Sequence, residues 1–172
     1  RWRMDCTFAN ATGHRAAINL AGPASRELLA TLTDIDVSEA AFPYLGAREG
    51  NVAGVRARVL RAGFVSTLGF EIHVPFREGG KVWDTLMEAG AARGVRAFGV
   101  EAQRVLRLEK GHAIVGQDTD ALTNPFEAGL DWAVRIDKPF FIGQRSLRIH
   151  QARGPRQRLV GFTLPDEAPL RE

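Results

Sequence analysis

Two short runs of strict alternation constrain this chain more than any other feature. Val55, Ala57 and Val59 alternate with Arg56, Arg58 and Leu60, and Phe70, Ile72 and Val74 alternate with Glu71 and His73. A period of two puts successive side chains on opposite faces of an extended strand. Both runs therefore read as strands, each with an apolar face and a polar one. An antiparallel sheet covered on one side only has this pattern.

The neighbouring segments supply the cover. Residues 16–20 are a short apolar run ending at Gly22-Pro23, and read as another strand, a buried one. Pro23 suits a first helical turn, and Leu28, Leu29 and Leu32 form an apolar stripe on a helix over 24–33. Residues 34–50 are polar and rich in turn formers. Pro75 closes the second alternating run. Val82, Trp83, Leu86 and Met87 then give one apolar face to a helix over 78–91, which Gly94 stops. Residues 95–98 complete the set as a last strand. The order over 16–98 is β-α-β-β-α-β. The expected fold class is α+β: a ferredoxin-like split β-α-β antiparallel sheet, with two helices on one face and further helices added.

Beyond the sheet, residues 99–110 read as a helix ended by Gly111, followed by a polar loop over 116–120. Asn124-Pro125-Phe126-Glu127 combines a capping residue, a proline at the first helical position and a carboxylate three residues after the cap. A short helix halted at Gly129 is expected there, then a strand over 130–134 and a helix over 142–150. An Arg-rich linker runs through Gly154-Pro155, and residues 158–164 alternate like the first strand of something further.

Composition narrows the function classes. A chain of 172 residues can bury a core, and the single Cys6 excludes an internal disulfide framework or thiolate cluster. No apolar run approaches the roughly 18 residues of a membrane span. No signal-peptide pattern is present either, so the cytoplasm is the expected compartment. Residues 1–140 hold 17 Lys plus Arg and 17 Asp plus Glu, whereas 141–172 hold six Arg and three acids. The net charge of +3 thus sits wholly in the C-terminal segment, around Arg145, Arg148, Arg153, Arg156 and Arg158. No aromatic residues interleave it as a base-stacking surface requires. It reads as a solvated linker, and neither nucleic acid nor a membrane is an expected partner.

Several residues could carry chemistry. Glu71 faces away from Phe70, Ile72 and Val74, as a solvent-facing carboxylate or as an acceptor for a ligand's N–H groups, such as a pterin or purine edge. Arg104 and Arg107, three apart on a helix, are either a salt-bridged exposed face or a fork for a carboxylate or a carbonyl-bearing heterocycle. His14, His73, His112 and His150 lack metal-ligand spacing. Asp118 and Asp120 lack the Gly and terminal Glu of a calcium loop, so a turn role is expected. Ser66 has no glycine elbow, and no phosphate-binding glycine pattern occurs.

Two stretches resemble a known family. Ala62-Gly63-Phe64-Val65-Ser66-Thr67-Leu68-Gly69-Phe70-Glu71 is similar to the Gly-Tyr-Thr-Gly-Glu-x-Gly-Phe-Glu motif of glycine-cleavage T-proteins (aminomethyltransferases). Arg104-Val105-Leu106-Arg107-Leu108-Glu109-Lys110-Gly111-His112 is the second. It runs on through Gly116-Gln117-Asp118-Thr119-Asp120 and Thr123-Asn124-Pro125-Phe126-Glu127-Ala128-Gly129-Leu130. Within the superfamily the runs from Leu108, Val115 and Ala128 look most like the folate-binding part of the heterotetrameric sarcosine oxidase alpha subunit.

The resemblance implies tetrahydrofolate as cofactor, with FAD, FMN or NAD only if the parent is a sarcosine oxidase subunit. It implies an N-methyl or aminomethyl donor as substrate, and other oxidase subunits as possible partners. By position, Glu71 corresponds to the family's pterin-binding Glu and Arg107 to the Arg near the folate. Phe64 stands where many members have Tyr. Val65-Ser66-Thr67 replaces Thr-Gly-Glu, and Val115 replaces a frequent Tyr. The family's catalytic Asp lies upstream of this stretch, so no catalytic residue is assigned. Residues 1–150 are expected to be a partial folate-binding region, and 151–172 a linker with the first strand of a β-barrel-type domain. Such a chain by itself is expected to be inactive. Two other readings stay open within the superfamily. A folate-dependent iron–sulfur maintenance protein would need a Lys-Gly-Cys motif, where this chain has Lys110-Gly111-His112. The other is a non-catalytic lobe kept for assembly.

Overall fold

The structure, a computed structural model, describes residues 5–65 and 68–163. Ser66, Thr67 and Leu164, which entered the sequence reading, lie outside the described residues. The chain divides into two compact units, residues 1–112 and 113–172.

The first unit is an α+β fold on a four-stranded antiparallel sheet. Its strands are β1 (Arg15–Ala21), β2 (Ala47–Val52), β3 (Val55–Leu60) and β4 (Gly69–Pro75), in the spatial order β1-β4-β3-β2. Helix α1 (Ser25–Ala30) follows β1, α2 (Gly79–Gly90) follows β4, and α3 (Val100–Lys110) ends the unit's regular structure. The two alternating runs behave as their period requires. Val55, Ala57, Val59, Phe70, Ile72 and Val74 are all buried, while Arg56 and Arg58 stay exposed. Leu28 and Leu29 of α1 and Val82 and Leu86 of α2 close the same core, with Val37 and Phe42 from the long connection. Each such side chain contributes about 1.5–3 kcal/mol by leaving water. In β1 only Leu20 is fully buried, because β1 lies at an edge of the sheet.

Two strand placements differ from the sequence reading. The fourth strand is 47–52, inside the stretch read as turns, and residues 95–98 form none. Strand β2, the other edge of the sheet, has no apolar alternation: only Val52 at its end enters the core. Polar contacts hold it instead. Glu49 accepts from Arg56 Nη2 at 3.0 Å and from Arg58 Nη2 at 2.6 Å across the ladder. The Asp34 carboxylate accepts from the Asn51 backbone N–H and side-chain amide, each at 2.6 Å.

Residues 95–98 are taken up by a helix cap. Gly94 lies in the left-handed region at φ 71°, and the Val95 N–H donates back to the Gly90 carbonyl at 3.2 Å. This is the six-to-one bond that ends a helix and folds the next apolar residue onto it. Val95 consequently packs where a Cβ on Gly90 would meet it at 2.7 Å and Leu28 at 3.0 Å. Gly90→Ala is expected to overpack this contact and cost about 1–3 kcal/mol, read as a lowered midpoint in thermal unfolding.

The edge-strand carboxylates set a pH dependence. Asp34 is held below the ordinary carboxylate value, chiefly by the Asn51 backbone N–H, and Glu49 chiefly by its hydrogen bond from Arg58. The unfolded chain therefore binds more protons in acid than the folded one. Stability is full above the ordinary carboxylate range and is lost as pH falls through it towards the folded values. Unfolding midpoints measured from about pH 5 down to about pH 3 are expected to fall, with a shallower fall in an Asp34→Asn/Glu49→Gln variant.

In the second unit, α4 (Gln144–Arg153) matches the expected helix, starting after Gly143. The Asn124 cap forms: its Oδ1 accepts from the Phe126 and Glu127 N–H groups, and Glu127 Oε2 accepts from the Asn124 N–H. The result is one turn and no helix, because Gly129 at φ 68° reverses the chain and Leu130 N–H bonds to Pro125 O. Residues 130–134 form a 3-10 turn over Asp131–Ala133 in place of a strand, the Ala133 and Val134 amides bonding three residues back. No strand forms over 158–163. Among the described residues, no helix is long and apolar enough to cross a membrane.

Candidate functional site

The sheet's outer face is polar, and antiparallel register sorts its side chains into rows. Glu71 on β4 lies opposite Asn19 on β1 and Leu60 on β3, and the next row pairs His73 with Ala17 and Arg58. Directly opposed residues share a face with Cβ atoms about 5 Å apart. The alternation of β4 thus carries Glu71 to the outer face, as expected, where it is half-buried. Its Oε2 lies 3.4 Å from His73 Nε2. Beside it, Asn19 Oδ1 is buried without a hydrogen-bond partner. Two acceptors on adjacent strands, one charged and one unsatisfied, suit a planar ligand edge with neighbouring N–H donors.

Phe64 lies in the connection between β3 and β4, at the end of the sheet nearest Glu71. Arg107 is the one buried residue of α3, 3% exposed. The structure links these two through His112. The Arg107 guanidinium donates from Nη1 to the His112 carbonyl at 3.1 Å, and His112 Nδ1 lies 2.8 Å from the Phe64 carbonyl oxygen. The Phe64 and His112 rings sit 5.6 Å apart, tilted by 31°. Gly111 makes this possible. Its φ of 76° ends α3 and folds His112 back, so that the His112 N–H also bonds to the Arg107 carbonyl at 2.9 Å.

The pairing of Arg104 with Arg107 as a fork does not form. Arg104 stays exposed and pairs with Glu101 at 3.0 Å, while Arg107 turns inward to His112. A 100° step per residue separates positions three apart by about 60°, enough to split them between surface and interior. In the second unit, Asp118 and Asp120 serve turns. Asp118 accepts from the Ile114 N–H, and Asp120 Oδ1 accepts from the Leu122 and Thr123 N–H groups and the Thr123 hydroxyl. That threonine hydroxyl is the main reason the Asp120 carboxyl is held below its ordinary value. Val115 is exposed. Among the described residues, no group of His, Cys, Asp and Glu could hold a metal ion.

Sequence reasoning missed Asn19 and His112 as site residues. Asn19 was visible as the polar residue interrupting the apolar run of β1. His112 was visible as the residue a left-handed Gly111 must fold back onto the helix.

Residues 1–138 match the family model described as the GCVT N-terminal domain. An aminomethyltransferase of Halothermothrix orenii is 36% identical over 155 residues, covering 90% of this chain and 43% of that protein. A sarcosine oxidase subunit alpha of Corynebacterium sp. (strain U-96) is 37% identical over 171 residues, covering 98% of this chain and 18% of that protein. The human mitochondrial dimethylglycine dehydrogenase is 34% identical over 161 residues, covering 93% and 19%. The chain spans less than half the length of each of these relatives.

Proposed function

We propose that this chain, which belongs to the GCVT N-terminal domain family of the T-protein superfamily, contributes the folate-binding surface of an enzyme that transfers a one-carbon unit to tetrahydrofolate. The observation that carries the reading is the pair of acceptors on the outer sheet face, the Glu71 carboxylate and the unsatisfied Asn19 Oδ1. A reduced pterin presents adjacent N–H donors of the kind this pair accepts. Asn19 Oδ1 is buried at a cost that a ligand donor would remove.

Glu71 would hold and orient the pterin edge, and its negative charge strengthens each hydrogen bond it accepts. Phe64 offers its ring as a flat apolar wall. Arg107, fixed by His112, would supply positive charge near the ring's carbonyl. Bound tetrahydrofolate supplies the nucleophilic nitrogen that receives the one-carbon unit. The role of this chain's residues is to fix that nitrogen's position and keep the ring in one orientation. The relatives' names point to aminomethyl and N-methyl amino acid donors, with sarcosine or dimethylglycine as the class proposed here. Isothermal titration of the full-length protein with tetrahydrofolate tests the reading. Saturable binding that Glu71→Gln weakens supports it, and no binding overturns it.

A further inference from the structure

Contacts to both Phe64 and Arg107 converge on His112. Its Nδ1 lies 2.8 Å from the Phe64 carbonyl, its own carbonyl accepts from Arg107 Nη1, and its ring faces that of Phe64. A carbonyl oxygen can only accept, so Nδ1 must carry the proton. We infer that His112 is a positioning residue: as the Nδ1–H tautomer it clasps the segment carrying Phe64 to the end of α3 carrying Arg107, and so sets the spacing of the two ligand-facing groups. The inference rests on the folate reading for what the spacing serves, and on geometry alone for the clasp.

Sequence separation explains why a clasp is needed. Phe64 and His112 are 48 residues apart, and neither β3 nor β4 contains Phe64. No sheet ladder fixes the Phe64 backbone, so its carbonyl depends on partners from elsewhere. His112 itself is anchored, because the Gly111 cap returns its N–H to Arg107 O while Arg107 returns its guanidinium to His112 O. Two bonds between the same pair of residues leave His112 little freedom to swing, and that rigidity passes to Phe64 through Nδ1–H. The side chain is half-buried, which strengthens the bond relative to one in open water.

The test uses the full-length protein and two readouts. Hydrogen–deuterium exchange over peptides spanning Phe64 reads the clasp without any ligand. Titration with 5-formyltetrahydrofolate reads its consequence. His112→Ala removes ring and donor, His112→Phe keeps ring bulk and loses the donor, and His112→Asn restores a donor near the Nδ1 position. Exchange at the Phe64 segment is expected to rise in the Ala and Phe variants and to return towards wild type in Asn. The dissociation constant is expected to rise about ten-fold in Ala and Phe, the scale of one hydrogen bond, and to recover in Asn. A role in packing alone predicts the reverse order, with Phe rescuing and Asn failing, and that order overturns the inference. It is equally overturned by unchanged exchange in His112→Ala, or by raised exchange with wild-type affinity in every variant. If the wild-type protein itself binds no folate, the folate reading falls, and the exchange arm alone decides whether the clasp stands.

Discussion

Glu71→Gln is expected to weaken tetrahydrofolate binding by roughly two orders of magnitude while leaving the fold in place. The substitution keeps the shape of the side chain and removes the charge. One oxygen still accepts, but the other becomes an NH2 that meets the ligand's own donors. Hydrogen bonds to a charged group are worth about 1.5–3 kcal/mol each, so losing the charge on one and reversing the other amounts to about 3 kcal/mol, near a hundred-fold at 1.4 kcal/mol per decade. Stability should move little. Glu71 is half-buried on the outer face and its contact is with His73 at 3.4 Å, a partly exposed pair of small net worth. Titration calorimetry reads the affinity and thermal unfolding reads the fold. An affinity loss with an unchanged melting midpoint is the expected pattern. Unaltered affinity would remove Glu71 from the site.

Phe70→Ala is expected to act the opposite way, destroying the fold and, through it, the site. Phe70 is 0% exposed, on the apolar face of β4. Its ring lies 5.9 Å from that of Phe42, and the Arg26 guanidinium sits 5.8 Å from its centre. Truncating a buried phenylalanine costs about 3–5 kcal/mol in lost transfer energy and residual cavity. That is a large fraction of the roughly 5–15 kcal/mol that holds a domain together. A shift of the denaturant midpoint to much lower concentration is expected. Phe70→Leu, which refills most of the volume, should lose far less. Because Glu71 is the next residue, the pair separates two effects on one strand: an inward substitution unfolds, and an outward one unbinds.

Much of the fold was legible where apolar periodicity was strong. The alternation at 55–60 and 70–74 and the stripes on α1 and α2 placed those elements, and Gly111 was read correctly as the end of α3. Strand β2 was not legible, because an edge strand held by Glu49 between Arg56 and Arg58 buries little and so leaves no hydrophobic signature. Residues 95–98 and 130–134 misled in the opposite direction. Apolar residues there serve a helix cap and a 3-10 turn, and composition does not say whether a backbone amide bonds locally or to a neighbouring strand.

For the site, sequence alone determined which face Glu71 takes, because a period of two fixes a strand side chain's direction once its neighbours are buried. Tertiary structure decided the company these residues keep. It put the unsatisfied Asn19 Oδ1 beside Glu71, divided Arg104 from Arg107, and joined Phe64 to Arg107 through His112 across 48 residues. The physical reason is range. Periodicity and capping act over a few residues of chain, whereas cross-strand neighbours and the burial of one guanidinium depend on segments that only folding brings together.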